Sequence, residues 1–193
     1  QGGYALVMLT KEVLIGARDI FGIRPLVIGK INNSYVFASE TCALDIIGAE
    51  FVREVENGEV VYVENNKLNS LKPFGRYSPR PCVFEYIYFA RPDSILRGKT
   101  AYEYRKNLGR ELAKEDNVEA NLVVPVPDSG NAAAIGYSQQ KKINFDLGLI
   151  RNHYVGRTFI EPAQKIRSLG VKLKLNANRS SIKNKKIVLI DDS

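Results

Sequence analysis

The sequence predicts a two-part chain, with an α+β first part built on antiparallel sheet and an α/β second part built on a parallel sheet with helices. Three observations support this prediction. Short β-rich runs separated by Gly, Asn and Pro fill residues 1–75, and a proline-containing segment without periodicity follows at 69–82. From about residue 100, helical spacing alternates with fully apolar strands, which indicates a parallel sheet.

The first part contains five runs of strand length: YALVML, VLIGAR, PLVIG, SYVFAS and EVVYVE. Asn32 and Asn33 lie between two of these runs and predict a hairpin. The run SETCALDIIG predicts one helix, which Ser39 would cap and Gly48 would end. We therefore expect this half to form an antiparallel meander with one helix.

The second part opens with VFEYIYFARPDS, whose β-branched and aromatic residues predict a strand. TAYEYRKNLGRELAKE has helical spacing, and Thr100 with Glu103 forms a capping box. NLVVPVP, FDLGLI and KKIVLI predict parallel strands, and a second helix follows DSG. Residues 152–186 form a long basic stretch that predicts a functional lid, because loops of that length are uncommon inside compact domains.

Composition and charge exclude several classes of protein. Hydrophobic residues make up 45% and charged residues 25%, as in a soluble globular protein, and no apolar run approaches the roughly 20 residues that span a bilayer. The two cysteines are too few for a disulfide framework, so we expect a cytoplasmic location. Residues 141–186 contain 12 Lys and Arg but only two acidic residues. Their partner should be a concentrated anion, either a polyphosphate substrate or nucleic acid.

Two predicted strands end in polar residues at what should be one edge of the sheet. VVPVPDSGN puts Asp128, Ser129 and Gly130 on a strand-to-helix turn, where backbone N–H groups and the helix dipole favour phosphate. KKIVLIDDS puts Asp191 and Asp192 after the last strand, and adjacent carboxylates repel unless a cation or hydroxyl donors share them. Together these features suit a phosphorylated sugar carried with Mg²⁺.

Each motif also has a plainer interpretation. DSG is equally typical of a helix N-cap. Asp191 and Asp192, which precede Ser193, also fit a phospho-acceptor pocket or the Mg²⁺-binding strand of a nucleotide hydrolase. The sequence lacks the Gly-x-x-x-x-Gly-Lys loop of the nucleotide hydrolases. The single histidine, His153, is expected to be structural or exposed and not a general base.

The end of the chain, VLIDDS, resembles the opening of the phosphoribosyl-pyrophosphate (PRPP) motif of type I phosphoribosyltransferases. An ordered set of motifs resembles the amidophosphoribosyltransferase family over residues 3–193: ARDIFGIRPLVIG, SETCALDIIGAEFVREVENGEVV, CVFEYIYFARPDS, VPVPDSGNAAAIGY and LIRNHYVGRTFIEPAQKIR. The resemblance implies that residues 1–75 finish an N-terminal-nucleophile glutaminase domain. Residues 76–193 would then be a linker and the first part of a type I phosphoribosyltransferase domain, truncated within the PRPP motif.

The resemblance implies an activity: glutamine-dependent transfer of ammonia to PRPP, giving 5-phosphoribosylamine, pyrophosphate and glutamate, the first committed step of purine synthesis. The glutaminase Cys would lie upstream of residue 1, so no glutaminase residue is assigned and this piece alone is expected to be inactive. A homo-oligomer with purine nucleotides as feedback inhibitors is expected, without a membrane or nucleic-acid partner.

Two other functions remain open at this stage. One is a PRPP-sensing regulator that binds nucleic acid, although the strand-rich first part offers no basic recognition helix. The other is a phosphoribosyltransferase that uses a base in place of ammonia, against which the glutaminase-like first part argues.

The resemblance also implies site residues. Mg²⁺ would bind Ser129, Asp191 and Asp192, and the two aspartates would also hold the ribose hydroxyls. The residues expected to contact PRPP are Asp191, Asp192, Ser193, Arg151, Arg157, Lys172 and Lys174.

Cys82 precedes FEYIYF, where one branch of the family has a ligand of a 4Fe–4S cluster. Another branch keeps this Cys without a cluster. We expect the cluster, and a buried inert thiol is the alternative.

Overall fold

The structure, a computed structural model, describes residues 2–75, 77–155 and 164–192, without the side chains of residues 164–167. The chain divides into two compact units, residues 1–102 and 103–193. Antiparallel sheets dominate the first unit, and the second contains a parallel sheet with helices, so the predicted fold class is confirmed. No helix in the described ranges has the length and apolar character needed to cross a membrane.

The first unit contains two antiparallel sheets and one α-helix. Its main elements are β1 (Ala5–Leu9), β2 (Val13–Arg18), β3 (Val27–Ile31), β4 (Ser34–Ala38), α1 (Thr41–Ile47), β5 (Glu50–Glu54), β6 (Val60–Glu64) and β7 (Lys67–Leu71). One sheet has the strand order β1-β2-β6-β7 and the other β4-β3-β5. Apolar side chains from both sheets form the core, with Ile28, Val55 and Val61 fully buried.

The predicted hairpin joins β3 to β4. Ile31 pairs with Ser34 across the two-residue turn, and Asn32 has a φ of 51°. Asn tolerates this left-handed conformation better than most residues, since its short polar side chain bonds locally. The sequence prediction of a tight Asn-Asn turn is therefore confirmed.

Helix α1 ends as predicted but begins differently. Gly48 terminates it in the left-handed conformation, with φ of 67°. The expected cap, Ser39, is wrong: Glu40 occupies the cap position, and its side chain makes no capping bond. The Glu40 Oε2 atom instead accepts hydrogen bonds from the Arg91 N–H at 2.8 Å and the Ser94 hydroxyl at 2.6 Å. A tertiary contact has thus replaced a local cap.

The strand predicted at VFEYIYFARPDS is wrong, because this segment forms a π-helix, Glu85–Phe89. The Ala90 N–H donates to the Glu85 carbonyl oxygen, and the Glu85 side chain is buried beside Arg24. β-Propensity measures how a side chain fits a pleated, half-buried surface, and tertiary packing overrides it here. The segment continues into a two-strand ribbon, β8 (Ile95–Leu96) and β9 (Lys99–Thr100).

The second unit contains the parallel sheet. Its elements are α2 (Ala101–Glu115), β10 (Leu122–Pro125), α3 (Asn131–Lys141), β11 (Asn144–Phe145), β12 (Leu149–Arg151), α4 (Gln164–Lys174), β13 (Leu175–Ala177), α5 (Arg179–Ile182) and β14 (Ile187–Ile190). Strands β10, β11 and β14 form a parallel sheet in the order β11-β10-β14, and β12 pairs with β13 in an antiparallel ribbon.

One predicted strand of this unit is divided in two. FDLGLI was expected to be a single parallel strand, but only β11 joins the sheet. The Gly148 N–H donates to the Asp146 carbonyl oxygen, which turns the chain before β12. Gly148 also approaches Val124 so closely that a Cβ atom would lie 2.7 Å from its side chain. The close packing of this turn against β10 therefore ends the strand.

Candidate functional site

The carboxyl ends of β10 and β14 meet at one edge of the parallel sheet. Pro125 pairs with Ile190, and the Val126 N–H donates to the Ile190 carbonyl oxygen at 2.8 Å. The turn after β10 folds back on this edge, because Gly130 donates to the Val126 carbonyl oxygen. A Cβ atom at Gly130 would lie 2.4 Å from the Ile190 oxygen. Ligands of open parallel sheets bind at this kind of edge.

Three polar atoms on the segments at this edge are buried and have no hydrogen-bond partner among the described residues. They are Asn131 Oδ1, Arg151 Nε and Asp192 Oδ2. Buried polar groups without partners are rare and costly, by roughly 1–3 kcal/mol each. Two of these atoms are acceptors, which a hydroxyl group or a metal ion would satisfy, and one is a cationic donor, which an anionic oxygen would satisfy.

Arg151, at the end of β12, forms an ion pair with the strand-to-helix turn. Its Nη1 atom donates to Asp128 Oδ2 at 2.6 Å. About a third of the Arg151 side chain and half of the Asp128 side chain are exposed, at 32% and 51%. The contact therefore lies within reach of solvent and of a soluble anion.

Arg151 and Lys174 line the same open cleft, which runs between β12, β13 and the start of α5. Polar side chains from Asn152, Asn176 and Ser180 also line it, together with a third cation, Arg179, that was not among the predicted contacts. Of the predicted PRPP contacts, the structure brings these two cations together in the cleft, whereas Lys172 is an exposed residue of α4 that does not line it. Arg157 and Ser193 lie outside the described residues.

The predicted metal ligands lie on the two segments that meet at the edge. Ser129 is exposed in the turn after β10, Asp191 is exposed after β14, and Asp192 is half-buried. The Asp192 N–H donates to Asp191 Oδ1 at 2.9 Å, while Asp192 Oδ2 has no hydrogen-bond partner in the part of the chain that the structure describes. Carboxylate and hydroxyl oxygens are the hard ligands that Mg²⁺ prefers, so these residues fit the ion.

No set of three or more His, Cys, Asp and Glu side chains gathers in a metal-binding cluster within the part of the chain that the structure describes. Cys82 is half-buried and lines a small cavity of the first unit together with Arg18, Glu54 and Glu85. Burial raises the pKa of Glu85, and the neighbouring Arg24 guanidinium opposes that increase. Cys82 thus has charged neighbours, and no second thiol is among the described residues that line this cavity.

Sequence reasoning misses one residue of the site and the contact partner of another. Asn131 is the first residue of α3, a position that signals only a helix start. Asp128 is singled out in the DSG motif, but its partner is 23 residues away and cannot be read from the motif. His153 lies in an exposed turn after β12, which agrees with the role expected for it.

The chain is similar over its whole length to amidophosphoribosyltransferases. It is 55% identical to the enzyme of Rhizobium etli, of which it covers 40%, and 46% identical to that of Mycobacterium leprae, of which it covers 34%. It is also 50% identical to a chloroplastic amidophosphoribosyltransferase of Glycine max, again covering 34%. The chain therefore spans well under half the length of the relatives that it matches. No family model matches it.

A solved structure resembles the whole chain as well. The glutamine PRPP amidotransferase from B. subtilis, complexed with ADP and GMP, has a TM-score of 0.91 and 47% sequence identity. The match covers all of this chain and 42% of that one. At this identity the resemblance extends beyond the fold to the detailed sequence.

Proposed function

We propose that the chain is part of a glutamine-dependent amidophosphoribosyltransferase, which transfers ammonia to PRPP and releases pyrophosphate. The observation that carries the proposal is the edge of the parallel sheet, where Asp192 Oδ2 and Arg151 Nε are buried and have no hydrogen-bond partner within the described ranges of the chain. A ligand with ribose hydroxyls and a pyrophosphate offers what both atoms lack. The similarity of the whole of this chain to parts of enzymes of that name supports the same conclusion.

In this proposal each group at the edge has a distinct task. Asp191 and Asp192 accept hydrogen bonds from the ribose hydroxyls and, with Ser129, hold Mg²⁺. The bound ion would supply positive charge next to the leaving pyrophosphate. Arg151 and Lys174 add cationic charge from the cleft, which favours an oxocarbenium-like transition state by stabilising the departing anion.

The remaining parts of the enzyme are proposed on the resemblance. Residues 1–75 would complete the glutaminase domain, and residues 76–193 would link to and begin the phosphoribosyltransferase domain. Purine nucleotides would act as feedback inhibitors, since the solved relative contains ADP and GMP. We further propose a cytoplasmic homo-oligomer with Cys82 as one ligand of a 4Fe–4S cluster. The regulator alternative has no support from the three relatives described above, each of which carries the name of the enzyme.

The test is a pair of substitutions in the complete enzyme. Asp191→Asn with Asp192→Asn should abolish pyrophosphate release from PRPP, because the neutral amides cannot hold Mg²⁺ as carboxylates do. Glutamine hydrolysis should persist, since its catalytic residues would lie elsewhere. Asp146→Asn is the matched control, because the Asp146 carboxylate accepts only a local hydrogen bond from the Leu147 N–H among the contacts of the described residues. Normal PRPP turnover in the double variant would refute the assignment.

A second measurement tests the proposed lid. If residues 152–175 fold over bound PRPP, limited proteolysis within this range should slow when PRPP and Mg²⁺ are added together. Adding Mg²⁺ alone should give no protection. Equal cleavage in both conditions would show that the segment does not close over the substrate.

A further inference from the structure

The contact between Arg151 and Asp128 leaves the arginine incompletely satisfied. A guanidinium has five N–H donors arranged to bind planar anions at two points. Here Asp128 receives a hydrogen bond from Nη1, while the buried Nε atom has no partner among the described residues. The pair therefore satisfies one donor and leaves a neighbouring donor buried and unmatched.

The energetic balance favours replacement of this partner. An ion pair that is this exposed contributes little stability, because water screens it. An unmatched buried donor costs more than such a pair contributes. A phosphate group carries more charge than one carboxylate and presents several oxygens, so it can engage both Nη and Nε. Once released from Asp128, the side chain can turn so that both donors reach the anion.

Asp128 lies where its negative charge would oppose the binding of an anion. It lies on the turn between β10 and α3, next to Ser129, at the edge where the substrate is proposed to bind. Its carboxylate would repel a phosphate group at Arg151 if both stayed in place. Binding of the anion must therefore break the ion pair or pay for that repulsion.

We infer that the Asp128–Arg151 ion pair is a resting contact that a phosphate or pyrophosphate group displaces, so that Asp128 lowers the affinity of Arg151 for the anion. Asp128 is a positioning residue in this scheme, since it acts through Arg151. The inference rests on the proposed function only for the identity of the anion. The Asp128 carboxylate competes with the anion for Arg151 and does not itself bind the anion.

The experiment measures binding of inorganic pyrophosphate to the complete enzyme by titration calorimetry, in EDTA and at low salt. The absence of divalent metal keeps any ligand role of the aspartates out of the measurement. Asp128→Asn, which keeps the shape and removes the charge, should tighten binding about two- to fivefold. Arg151→Gln should weaken it about tenfold or more. In the Arg151→Gln background, Asp128→Asn should have no effect.

Asp146→Asn is the control, because it removes one negative charge from the same unit without removing an ion pair that the structure describes there. Its pyrophosphate affinity should stay within about 1.5-fold of the wild type. If Asp146→Asn increased the pyrophosphate affinity as much as Asp128→Asn, the change in net charge would explain both effects and the inference would be overturned. Unchanged or weaker binding in Asp128→Asn would overturn it as well. If Asp128→Asn fails to fold, Asp128→Ala is measured with the same expectations.

The source of the anion and the proposed function are separated by two further arms. Repeating the titration with PRPP and with a purine nucleoside monophosphate shows which of these ligands binds more tightly when the charge of Asp128 is removed. Turnover of PRPP is measured on the same proteins. Tighter pyrophosphate binding in an enzyme that never consumes PRPP would sink the proposed function and keep the inference. Normal turnover of PRPP without tighter pyrophosphate binding in Asp128→Asn would overturn the inference and leave the proposed function intact.

Discussion

The hydroxyl group of Tyr137 in α3 donates a hydrogen bond of 2.7 Å to Asp116 Oδ2, which lies just beyond the end of α2. Tyr137 is fully buried, and Lys141 also contacts Asp116, at 3.0 Å from Nζ to Oδ1. One carboxylate therefore joins the carboxyl-terminal parts of two helices. The hydrogen bond from Tyr137 lowers the pKa of Asp116 despite partial desolvation, and Lys141 adds to the effect.

Tyr137→Phe should lower the free energy of unfolding by about 1–2 kcal/mol, because it removes a hydrogen bond to a charged group and keeps the buried ring. Urea denaturation checks this. Tyr154→Phe is the matched control, since Tyr154 is completely exposed, and it should leave the midpoint unchanged. Equal midpoints for the two variants would contradict the role of the hydroxyl group.

The same tyrosine should cause a loss of stability at alkaline pH. Burial and then the hydrogen bond to Asp116 raise the pKa of Tyr137 to about 12, above its ordinary value of 10.0. A raised pKa in the folded state means that the stabilising contribution is complete below about pH 10 and is lost as pH rises towards 12. Unfolding measured across this range should show a smaller alkaline decline in Tyr137→Phe than in the wild type.

Glu59 in the first unit should control stability in acid. Burial alone would raise its pKa, but hydrogen bonds from Arg53, Ser70 and the Glu56 N–H outweigh burial and lower the pKa to about 2. The Arg53 guanidinium makes two of these bonds, both 2.8 Å long. Because the folded pKa is lowered, the contribution is present above the ordinary value of 4.5 and is lost as pH falls towards 2.

Glu59→Gln should therefore destabilise the first unit at pH 7 by about 3 kcal/mol, since it removes the charge of a buried carboxylate that the partly exposed Arg53 holds ionised. It should also flatten the dependence of stability on pH between 4.5 and 2. Thermal unfolding at several pH values measures both effects. Glu12→Gln, at an exposed position of the same unit, should retain the wild-type profile. A flat wild-type profile would contradict the lowered pKa.

Gly136 should tolerate no side chain. A Cβ atom there would lie 1.8 Å from the Lys106 carbonyl oxygen, so α2 and α3 meet at the backbone. Alanine is favoured over glycine inside a helix by about 1 kcal/mol, but overpacking costs about 1–3 kcal/mol or more. The clash should dominate because a backbone oxygen cannot move aside like the end of a side chain.

The melting temperature checks this prediction. Gly136→Ala should lower it by several degrees, about what a loss of 1–2 kcal/mol produces. Gly75→Ala should leave it unchanged, because no atom lies within 4 Å of a Cβ atom at Gly75. A Gly136→Ala variant that is as stable as the wild type would show that the two helices can separate at little cost.

Cys82 gives a prediction about cofactor content. If it is a ligand of an iron–sulfur cluster in the complete enzyme, Cys82→Ser should lose bound iron and the visible absorbance of the cluster. Cys42→Ser should keep both, because Cys42 is buried in α1, where its thiol approaches Glu40. If wild-type protein purified under anaerobic conditions contains no iron, Cys82 is an inert thiol and not a cluster ligand.

Local sequence determined much of the fold. The Asn32-Asn33 turn and the Gly48 stop depend on conformations that few residue types adopt, so single letters predict them. The apolar run of β10 predicts a buried parallel strand, and all four residues of β10 are buried. The apolar run of β14 predicts a parallel strand as well, and β14 pairs with β10 in that way, although Ile187 and Leu189 are exposed. The pairing of Asp191 with Asp192 at a strand end likewise predicts a binding edge before any coordinates are known.

Tertiary structure decided what depends on distant partners. FEYIYF has the composition of a strand, yet it forms a π-helix in which the Glu85 side chain is buried beside Arg24. Glu40 replaces Ser39 at the start of α1 and contacts residues more than 50 positions away. The ion pair between Asp128 and Arg151 arises only when β12 folds beside the turn after β10. The local sequence thus determines which backbone conformations a short segment prefers. Contacts between residues that are distant in the sequence decide which of these conformations forms, because the energy of such a contact depends on which groups folding buries together.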